Sequence, residues 1–277
     1  MKIIDFMGQR KMALVFSAIL LAISIGSLAT KQLNWGLDFT GGTLVEVHYS
    51  ETADLTAIRK TLGAEGYAGA NVVSFGTDKD VLIRLPKGYS DSEGAQLLAG
   101  LQRAYSGNVE LRRIEFVGPQ VGDELREQGG LAMLLALGLV MLYIAFRFQL
   151  KFAVGAVVAL VHDVLVVLGF FSVTGVEFDL TVLAALLAVI GYSLNDTIVV
   201  SDRIRENFRK LRKTDPVEVI NISLTETLGR TLVTSLTTML VLVALAVFGG
   251  EMINAFAIAL LVGVFIGTYS SIYVAAN

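Results

Sequence analysis

The sequence predicts an α-helical membrane bundle of six spanning helices, with a small α+β domain outside the membrane between the first and second helices. Of the 277 residues, 54% are hydrophobic and only 17% are charged, and the mean hydropathy is +0.67. A soluble domain of this size needs a polar shell, so this balance favours lipid as part of the solvent. Six apolar runs each approach the length of about 20 residues that spans the hydrocarbon core. One long polar segment, residues 31–127, separates the first two runs.

The positions of the apolar runs predict the spans and the domain organisation. The predicted spans are residues 12–29, 130–146, 152–173, 180–201, 231–249 and 253–275. The chain then divides into an N-terminus with the first helix (1–30), an outer domain (31–127) and helices two to six (128–277). The first run has a second interpretation, a signal peptide, because Lys2, Arg10 and Lys11 precede it and small residues follow at 27–29. Its apolar stretch is longer than the usual signal core, which favours a retained anchor.

The distribution of lysine and arginine predicts the orientation in the membrane. Basic residues precede the first span, occupy the short loop after the second and follow the fourth, whereas the loops 174–179 and 250–254 carry none. With six spans, the basic segments all fall on one side, which must be the cytoplasm. Both termini are then predicted to be cytoplasmic, and residues 31–127 lie on the other side.

The outer segment has the pattern of a small α+β domain. Residues 43–49 alternate between apolar and polar side chains, as a half-buried strand does. Further strands are predicted at 71–75, 80–85 and 109–117, and helices at 54–63 and 90–104, with Asp54 as the N-cap of the first. The order β-α-β-β-α-β is that of a ferredoxin-like unit.

The composition excludes several kinds of site. The chain has no cysteine, which rules out disulfides, thiol nucleophiles and cysteine metal sites. Its two histidines, His48 and His162, are far apart in sequence, which disfavours a histidine metal cluster. The sequence therefore predicts no metal, no cofactor and no catalytic residue.

Ionisable and polar residues inside the predicted spans are the candidate functional residues, because each ionisable group there costs about 2.5–3.5 kcal/mol and usually faces the bundle interior. The third span contains His162 and Asp163. The fourth contains Asp196 near its end, and the fifth opens with Arg230. Further polar side chains accompany them: Ser193, Asn195, Thr197 and Thr234.

Asp196 and Arg230 are predicted to handle protons. They lie toward the cytoplasmic ends of antiparallel neighbouring spans, at depths that allow them to pair. Protonation of the acid would remove one half of such a pair and free the arginine for another partner. The alternatives are that Arg230 only flanks its span on the positive side and that Asp196 reaches the headgroups or caps local backbone. For His162 and Asp163 the alternative is a structural hydrogen bond between helices.

Three further segments have structural interpretations. The glycine-rich residues 36–43 lack the preceding strand of a dinucleotide site and the lysine of a phosphate loop, so we interpret them as a link between span and domain. Residues 116–122 are expected to form a hinge at the other end of the domain. The basic run 203–213 is expected to lie on the membrane surface as an amphipathic segment.

Several motifs resemble the SecF members of the SecD/SecF family of bacterial protein-export proteins. They are GLDFTGGT at 36–43, FVGPQVG at 116–122, HDVL at 162–165, IGYSLNDTIVVSDRIREN at 190–207, GRTL at 229–232 and GTYSSIYVA at 267–275. They occur in the right order over essentially the whole chain, and the segment 190–207 is highly specific.

The resemblance implies a membrane fold of the RND type and a heterodimer with SecD in the bacterial inner membrane, beside the SecYEG channel. It implies that the complex uses the proton motive force to help preproteins cross, without catalysing a reaction. It also implies that Asp196 and Arg230 belong to the proton pathway, part of which lies in SecD. Membrane lipid is a further expected contact, nucleic acid is not, and Gly263 and Gly267 are expected to contact SecD.

Other functions stay open at the level of sequence. An RND-type exporter of small molecules or lipids would need a ligand channel, for which the outer domain is small. A structural subunit that stabilises SecD and the SecYEG channel would need no proton-handling residue. An intramembrane protease would have to pair Asp163 with Asp196, and no catalytic loop motif accompanies them. The sequence ends at Asn277, directly after the sixth span, so a polar tail is expected beyond it.

Overall fold

The structure, a computed structural model, describes residues 3–67, 69–75, 77–85, 91–105, 107–147 and 150–276. Lys2, Asn277 and Ser90, the predicted start of a helix, lie outside these residues. The chain divides into two compact units, one formed by Met1–Asn34 with Leu131–Asn277 and the other by Trp35–Gly130. In chain order the elements are α1 (Arg10–Thr30), α2 (Leu37–Thr40), β1 (Gly42–Tyr49), α3 (Leu55–Ala64), β2 (Asn71–Phe75), β3 (Thr77–Leu85), α4 (Asp91–Ala104), β4 (Val109–Val117), α5 (Pro119–Arg147), α6 (Leu150–Thr174), α7 (Leu180–Lys210), α8 (Pro216–Phe248) and α9 (Glu251–Tyr273).

The unit Trp35–Gly130 is the predicted ferredoxin-like α+β domain. Its antiparallel sheet has the order β2-β3-β1-β4, with α3 between β1 and β2 and α4 between β3 and β4. The Asp54 carboxylate accepts hydrogen bonds from the backbone N–H groups of Thr56 and Ala57, which confirms it as the N-cap of α3. One buried apolar cluster joins the sheet to both helices and includes Val45, Val47, Ile58, Leu62, Ile83, Leu97 and Leu101.

A histidine and an aspartate pair across the sheet of this domain. His48 on β1 lies opposite Asp80 on β3, and His48 Nδ1 is 2.5 Å from Asp80 Oδ1. Both side chains keep contact with solvent, at 28% and 21% exposure. A hydrogen bond donated by Thr77 and one from His48 lower the pKa of Asp80 from its usual value.

The glycine-rich segment before β1 contains glycine where neighbouring backbone segments lie too close for a side chain. Gly42 has a φ of 141°, and a Cβ there would lie 2.5 Å from the carbonyl oxygen of Leu85. A Cβ on Gly122 would lie 3.0 Å from the backbone nitrogen of Gly41. In the segment 116–122, β4 runs to Val117 and α5 begins at Pro119, so only Gly118 separates the strand from the helix. Proline suits the first position of a helix. The hinge expected here stays a prediction.

Six helices of the described residues are long and apolar enough to span a membrane, as predicted. Two of them continue well beyond their apolar parts. α7 runs to Lys210, so residues 203–210 extend the span and do not form a separate surface segment. α8 begins at Pro216, 15 positions before the predicted start at 231, with Asp215 as its N-cap. α7 continues because residues 202–210 contain no proline or glycine and because Glu206 pairs with Arg203 and Lys210 along the helix. α8 begins early because Asp215 caps it and Pro216 suits the first position of a helix.

The extensions of α7 and α8 form a polar hairpin that also holds the N-terminal segment. Asn207 Nδ2 donates to Ser223 Oγ at 3.0 Å, between the two helices. The backbone N–H of Met7 donates to Asn221 Oδ1 at 2.9 Å, and that of Ile4 donates to Thr225 Oγ1 at 3.1 Å. One buried cluster therefore contains residues far apart in sequence: Phe6, Met7, Val200, Ile204 and Leu224.

Glycines on α9 bring it close to α7. A Cβ on Gly263 would lie 2.1 Å from Val189 Cγ2, and a Cβ on Gly267 would lie 3.1 Å from Ser193 Cβ. Small residues at this spacing let helix backbones approach closely. The expectation that Gly263 and Gly267 contact a partner protein is therefore wrong, because both pack inside this chain. Their packing places the polar side chains of α7 and α9 side by side.

Candidate functional site

Asp196 on α7 is held by hydroxyl groups from two neighbouring helices. The hydroxyl of Thr231 on α8 donates to Oδ1 at 2.5 Å, and that of Ser271 on α9 donates to Oδ2 at 2.5 Å. Both hydroxyl residues are buried, and Asp196 is partly buried. The carboxyl group thus joins three helices through neutral donors.

Asp163 on α6 is held in the same way, more deeply. Its Oδ2 accepts hydrogen bonds from Ser193 Oγ at 2.6 Å and Ser270 Oγ at 2.7 Å. Its Oδ1 lies 3.0 Å from Nδ1 of His162. The side chains of His162 and Asp163 are only 3% and 1% exposed. Ser193 comes from α7 and Ser270 from α9, so this carboxyl group joins α6 to both.

The serines of α9 can serve either protonation state of the two carboxyl groups. Ser270 Oγ also lies 3.2 Å from the carbonyl oxygen of Gly267, and Ser271 Oγ lies 3.0 Å from that of Thr268. A carboxylate only accepts hydrogen bonds, whereas a protonated carboxyl group donates one. On protonation, each serine can turn its hydrogen to its own helix and accept from the acid. The site therefore allows one hydrogen-bond pattern for the charged acid and another for the protonated acid, and every hydroxyl hydrogen has an acceptor in both.

Neutral donors leave the negative charge of these acids only partly compensated. Among the residues that the structure describes, neither Asp163 nor Asp196 lies within ion-pair distance of a lysine or arginine. Burial disfavours a charged carboxyl group, and hydrogen bonds to it favour the charge, so the two effects oppose each other.

His162 connects this buried network to a groove between α1, α6 and α9. The groove has a volume of about 480 Å³ and is lined mainly by apolar side chains, with Ser17, His162 and Tyr273 as its polar lining. His162 Nε2 is buried and, among the described residues, has no hydrogen-bond partner. A buried polar atom without a partner is rare in native structures.

The structure does not bring Asp196 and Arg230 into an ion pair. Arg230 is exposed and forms no ion pair within the described part of the chain, whereas the next residue, Thr231, contacts Asp196. Successive residues of a helix point about 100° apart, so a Thr231 that faces α7 directs Arg230 away from it. The predicted match in depth is present, and the predicted contact within the chain is not.

The remaining predicted polar residues take different positions. Ser193 binds Asp163 and does not bind Asp196, although it shares a face of α7 with it. Thr234 is exposed and donates to backbone carbonyls of its own helix. Asn195 is exposed, and the Thr197 hydroxyl is buried without a partner among the described residues.

Sequence reasoning missed the hydroxyl groups that bind the two acids. Thr231, Ser270 and Ser271 were not among the candidates, nor was the hydrogen bond of 2.7 Å between Ser235 and Thr268. One signal was present: Thr268, Tyr269, Ser270 and Ser271 form a run of four hydroxyl side chains inside an apolar span. Such a run has no reason to face lipid, and it points to a polar contact in the bundle.

Comparison with known proteins gives consistent matches over the chain. The family "Protein export membrane protein SecD/SecF, C-terminal" matches residues 98–277, and the "SecD/SecF GG Motif" matches residues 26–53. The chain is 57% identical over 274 residues to the protein translocase subunit SecF of Pseudomonas aeruginosa, covering 98% of this chain and 89% of that protein. It is 54% identical over 278 residues to the subunit of that name from Vibrio alginolyticus, covering 99% and 88%.

A solved structure has the same fold. The crystal structure of SecDF from Thermus thermophilus, described as a translocon-associated membrane protein, superposes with a TM-score of 0.89 at 39% identity. The match covers 99% of this chain and 38% of the solved chain. This chain therefore spans well under half the length of that protein.

Proposed function

This chain belongs to the SecF family of protein translocase subunits, and we propose from that premise that it couples the proton motive force to preprotein translocation together with SecD. It acts as a subunit of an export complex and catalyses no covalent reaction. The names of its relatives support the role in translocation. The proton-driven step rests on the buried acids of the bundle.

The observation that carries the proposal is the setting of Asp196. Within the described part of the chain, this carboxyl group in a spanning helix is held by the hydroxyl groups of Thr231 and Ser271 alone. Those donors can serve both the charged and the protonated acid. Asp196 then gains a proton from the side of higher proton concentration and releases it to the other side. Each charge that crosses 100 mV supplies about 2.3 kcal/mol.

Arg230 completes the site with a second chain. An exposed guanidinium in a spanning helix is costly in lipid, which favours a protein surface over it. SecD is the proposed partner at this surface and supplies a carboxyl group at the depth of Arg230. Asp196 binds the neighbouring Thr231, so protonation of Asp196 shifts α8 and changes the contact of Arg230 with SecD.

The cycle moves the outer domain and so pulls on an emerging preprotein. The chain passes from the unit of membrane helices to the outer domain between Asn34 and Trp35 and returns between Gly130 and Leu131. The positive-inside pattern supports cytoplasmic termini and a periplasmic domain in the bacterial inner membrane. The complex works there beside the SecYEG channel, in contact with membrane lipid.

The test is proton-gradient-dependent export in vesicles that carry the Asp196→Asn chain with SecD. Asparagine keeps the shape of the side chain and one acceptor oxygen, donates through its amide to the second hydroxyl group, and cannot release a proton. We expect export to fall to the level of vesicles without the chain, while the complex still assembles. Asp202→Asn is the matched control, because Asp202 lies on the same helix and is exposed. It is expected to export as the unaltered chain does.

Two results would contradict the proposal. Normal export with Asp196→Asn would make the carboxyl group structural and reduce the chain to a subunit that stabilises SecD and the channel. Equal loss of export with Asp202→Asn would mean that a charge change on α7 disturbs the complex whatever its position. Assembly with SecD is measured in both variants by co-purification.

A further inference from the structure

We propose that the groove between α1, α6 and α9 binds an anionic phospholipid of the membrane leaflet in which α1 begins. One acyl chain fills the groove, and the phosphate of the headgroup binds Arg10 and Lys11 at its mouth, the end nearest the start of α1. The inference goes beyond the proposed function and requires only that these helices span a membrane. It does not depend on the proton step at Asp196.

The groove exists because α1 and α6 touch at one end and separate toward the other. Near the end of α1, a Cβ on Gly169 of α6 would lie 2.2 Å from the Cβ of Ser24, so the two backbones are in close contact there. Nearer the start of α1, a groove of about 480 Å³ lies between residues 14–21 of α1 and residues 157–165 of α6. Tyr273 at the end of α9 lines the same groove, which therefore opens toward the start of α1.

The surface of the groove is apolar. α6 contributes three valines and a leucine, and α1 contributes two leucines and Ala18. The polar residues that these two helices place in the lining do not offer polar atoms to it: His162 Nε2 is buried, and the Ser17 hydroxyl lies 2.9 Å from the hydroxyl of Tyr269 on α9. A water molecule needs two to four polar partners, which this surface does not supply. Hydrocarbon is the occupant that the lining suits.

The size of the groove favours an acyl chain over a helix of a partner protein. A helix is about 10 Å across and rises about 1.5 Å per residue, so a piece as long as residues 14–21 occupies roughly 900 Å³. The groove offers about half of that volume, 480 Å³, so a partner helix could insert only single side chains. An acyl chain is thinner and carries no polar group that would need a partner in the groove.

Two positive charges lie at the mouth of the groove. Arg10 and Lys11 are the first residues of α1, both are exposed, and neither forms an ion pair within the described part of the chain. Arg10 lies one helical turn before Leu14, and Lys11 lies two turns before Ala18, so both continue the face of α1 that lines the groove. The nearest acid in sequence, Asp5, already accepts a hydrogen bond from an asparagine of α8.

The mouth of the groove also has the features of a membrane–water interface. The hydroxyl of Tyr273 donates to Gln9 Oε1 at 3.3 Å, and tyrosine is enriched at the level of lipid headgroups. Side chains of a helix tilt toward its N-terminus, which directs Arg10 and Lys11 from the groove toward the headgroups. Arginine binds phosphate through two parallel hydrogen bonds, and basic residues at this level attract anionic lipid. One phospholipid therefore satisfies both the apolar groove and the two charges.

The experiment is native mass spectrometry of the delipidated complex with SecD, titrated with phosphatidylglycerol or phosphatidylcholine of the same acyl chains. Arg10→Gln with Lys11→Gln removes both charges. We expect the affinity for one phosphatidylglycerol molecule to fall roughly thirtyfold, because each basic residue near the surface contributes several-fold to the binding of an anionic lipid. Binding of phosphatidylcholine should not change.

Two variants control for charge and folding. Arg212→Gln with Lys213→Gln removes an arginine and a lysine from exposed positions after α7 and should leave phosphatidylglycerol binding unchanged. Arg10→Lys with Lys11→Arg keeps both charges and should bind the lipid as the unaltered chain does. Co-purification with SecD measures assembly of every variant.

Ala18→Phe tests the groove itself. Ala18 is exposed and lines the groove, so a phenylalanine there occupies the space of the acyl chain without entering the core. We expect the complex to bind one phosphatidylglycerol molecule fewer at the concentration that saturates the unaltered complex. Ile19→Phe is the matched control, because Ile19 is the next residue, is exposed and is not part of the groove lining. It should leave lipid binding unchanged.

Three results would overturn the inference. Unchanged phosphatidylglycerol binding after loss of Arg10 and Lys11 removes the headgroup site. Unchanged binding with Ala18→Phe leaves the groove to SecD or to another part of the complex. An equal loss with Arg212→Gln and Lys213→Gln would mean that only the net charge of the complex matters. None of these results bears on export with Asp196→Asn, so the two proposals can fail separately.

Discussion

The two histidine–aspartate pairs of this chain have similar chemistry and opposite surroundings. His48 and Asp80 lie on the sheet of the outer domain with 28% and 21% of their side chains exposed, whereas His162 and Asp163 are 3% and 1% exposed. Around the outer pair, hydrogen bonds from Thr77 and His48 stabilise the charged acid and lower the pKa of Asp80 from its usual value. In the inner pair, Asp163 accepts hydrogen bonds from Ser193 on α7 and Ser270 on α9.

The difference teaches that burial decides what such a pair can do. The outer pair keeps contact with solvent, whereas the hydrogen bonds of the inner pair run to α7 and α9. The same two side chains form a partly exposed contact in one unit and a buried contact between helices in the other.

The largest difference in stability between the two pairs is expected when the acid of each pair is removed in turn. Asp163→Ala leaves Ser193 and His162 without their acceptor, at a cost of about 1–3 kcal/mol for each buried group left unsatisfied, whereas Ser270 keeps the carbonyl oxygen of Gly267. Asp80→Ala removes a partly exposed pair and should cost at most about 1 kcal/mol. Thermal unfolding of the assembled complex measures both. Equal destabilisation by the two variants would break the comparison.

A smaller test compares one glycine from each unit. Gly263→Ala places a Cβ 2.1 Å from Val189 Cγ2 and should destabilise the bundle by about 1–3 kcal/mol through overpacking. Gly63 lies in α3 with nothing within 4 Å of its would-be Cβ, so Gly63→Ala should stabilise the domain by about 0.5–1 kcal/mol. Hydrogen exchange of α9 and α3 reports each region separately. Loss of protection in α3 would contradict the second expectation.

The smallest expected effect is a pH dependence confined to the outer domain. Because the folded state lowers the pKa of Asp80, its charged form contributes stability above the unfolded pKa of about 4. That contribution is lost as the pH falls through the folded pKa. Asp80→Asn should therefore make unfolding of the domain less sensitive to acid, as followed by hydrogen exchange of β1 and β3 between about pH 5 and 2. An unchanged acid profile would show that Thr77 and His48 do not stabilise the charged acid.

The strands and the apolar spans could be predicted from sequence because each depends on a local pattern. β2 and β4 begin and end at the predicted residues, since alternation and flanking turn residues define them. The helical extensions 203–210 and 216–230 were missed for the opposite reason. The hydropathy of the sequence marks only the apolar part of each helix. The backbone hydrogen bonds of the helix extend beyond that part to a capping residue, as α8 extends back to its N-cap Asp215.

The acidic residues of the candidate site could be predicted from the sequence, whereas the hydroxyl residues that bind them could not. Asp163 and Asp196 are conspicuous because a charge in an apolar span is costly. Serine and threonine cost little there, so Ser270, Ser271 and Thr231 carry no comparable signal. Which acid a hydroxyl group binds depends on the rotation of neighbouring helices, as Ser193 shows, and that is decided by packing at Gly263 and Gly267.

The contact between the first residues and α8 has a consequence for biosynthesis. Met7 binds Asn221, 214 positions later, and Ile4 binds Thr225, 221 positions later. The ribosome must complete most of the chain before these partners exist, so the N-terminal segment waits unpaired while the early helices insert. Its closure onto the hairpin of α7 and α8 is among the last steps of assembly. A chain halted before residue 221 would keep this segment open to chaperones and proteases, which makes the contact a natural mark of completed insertion.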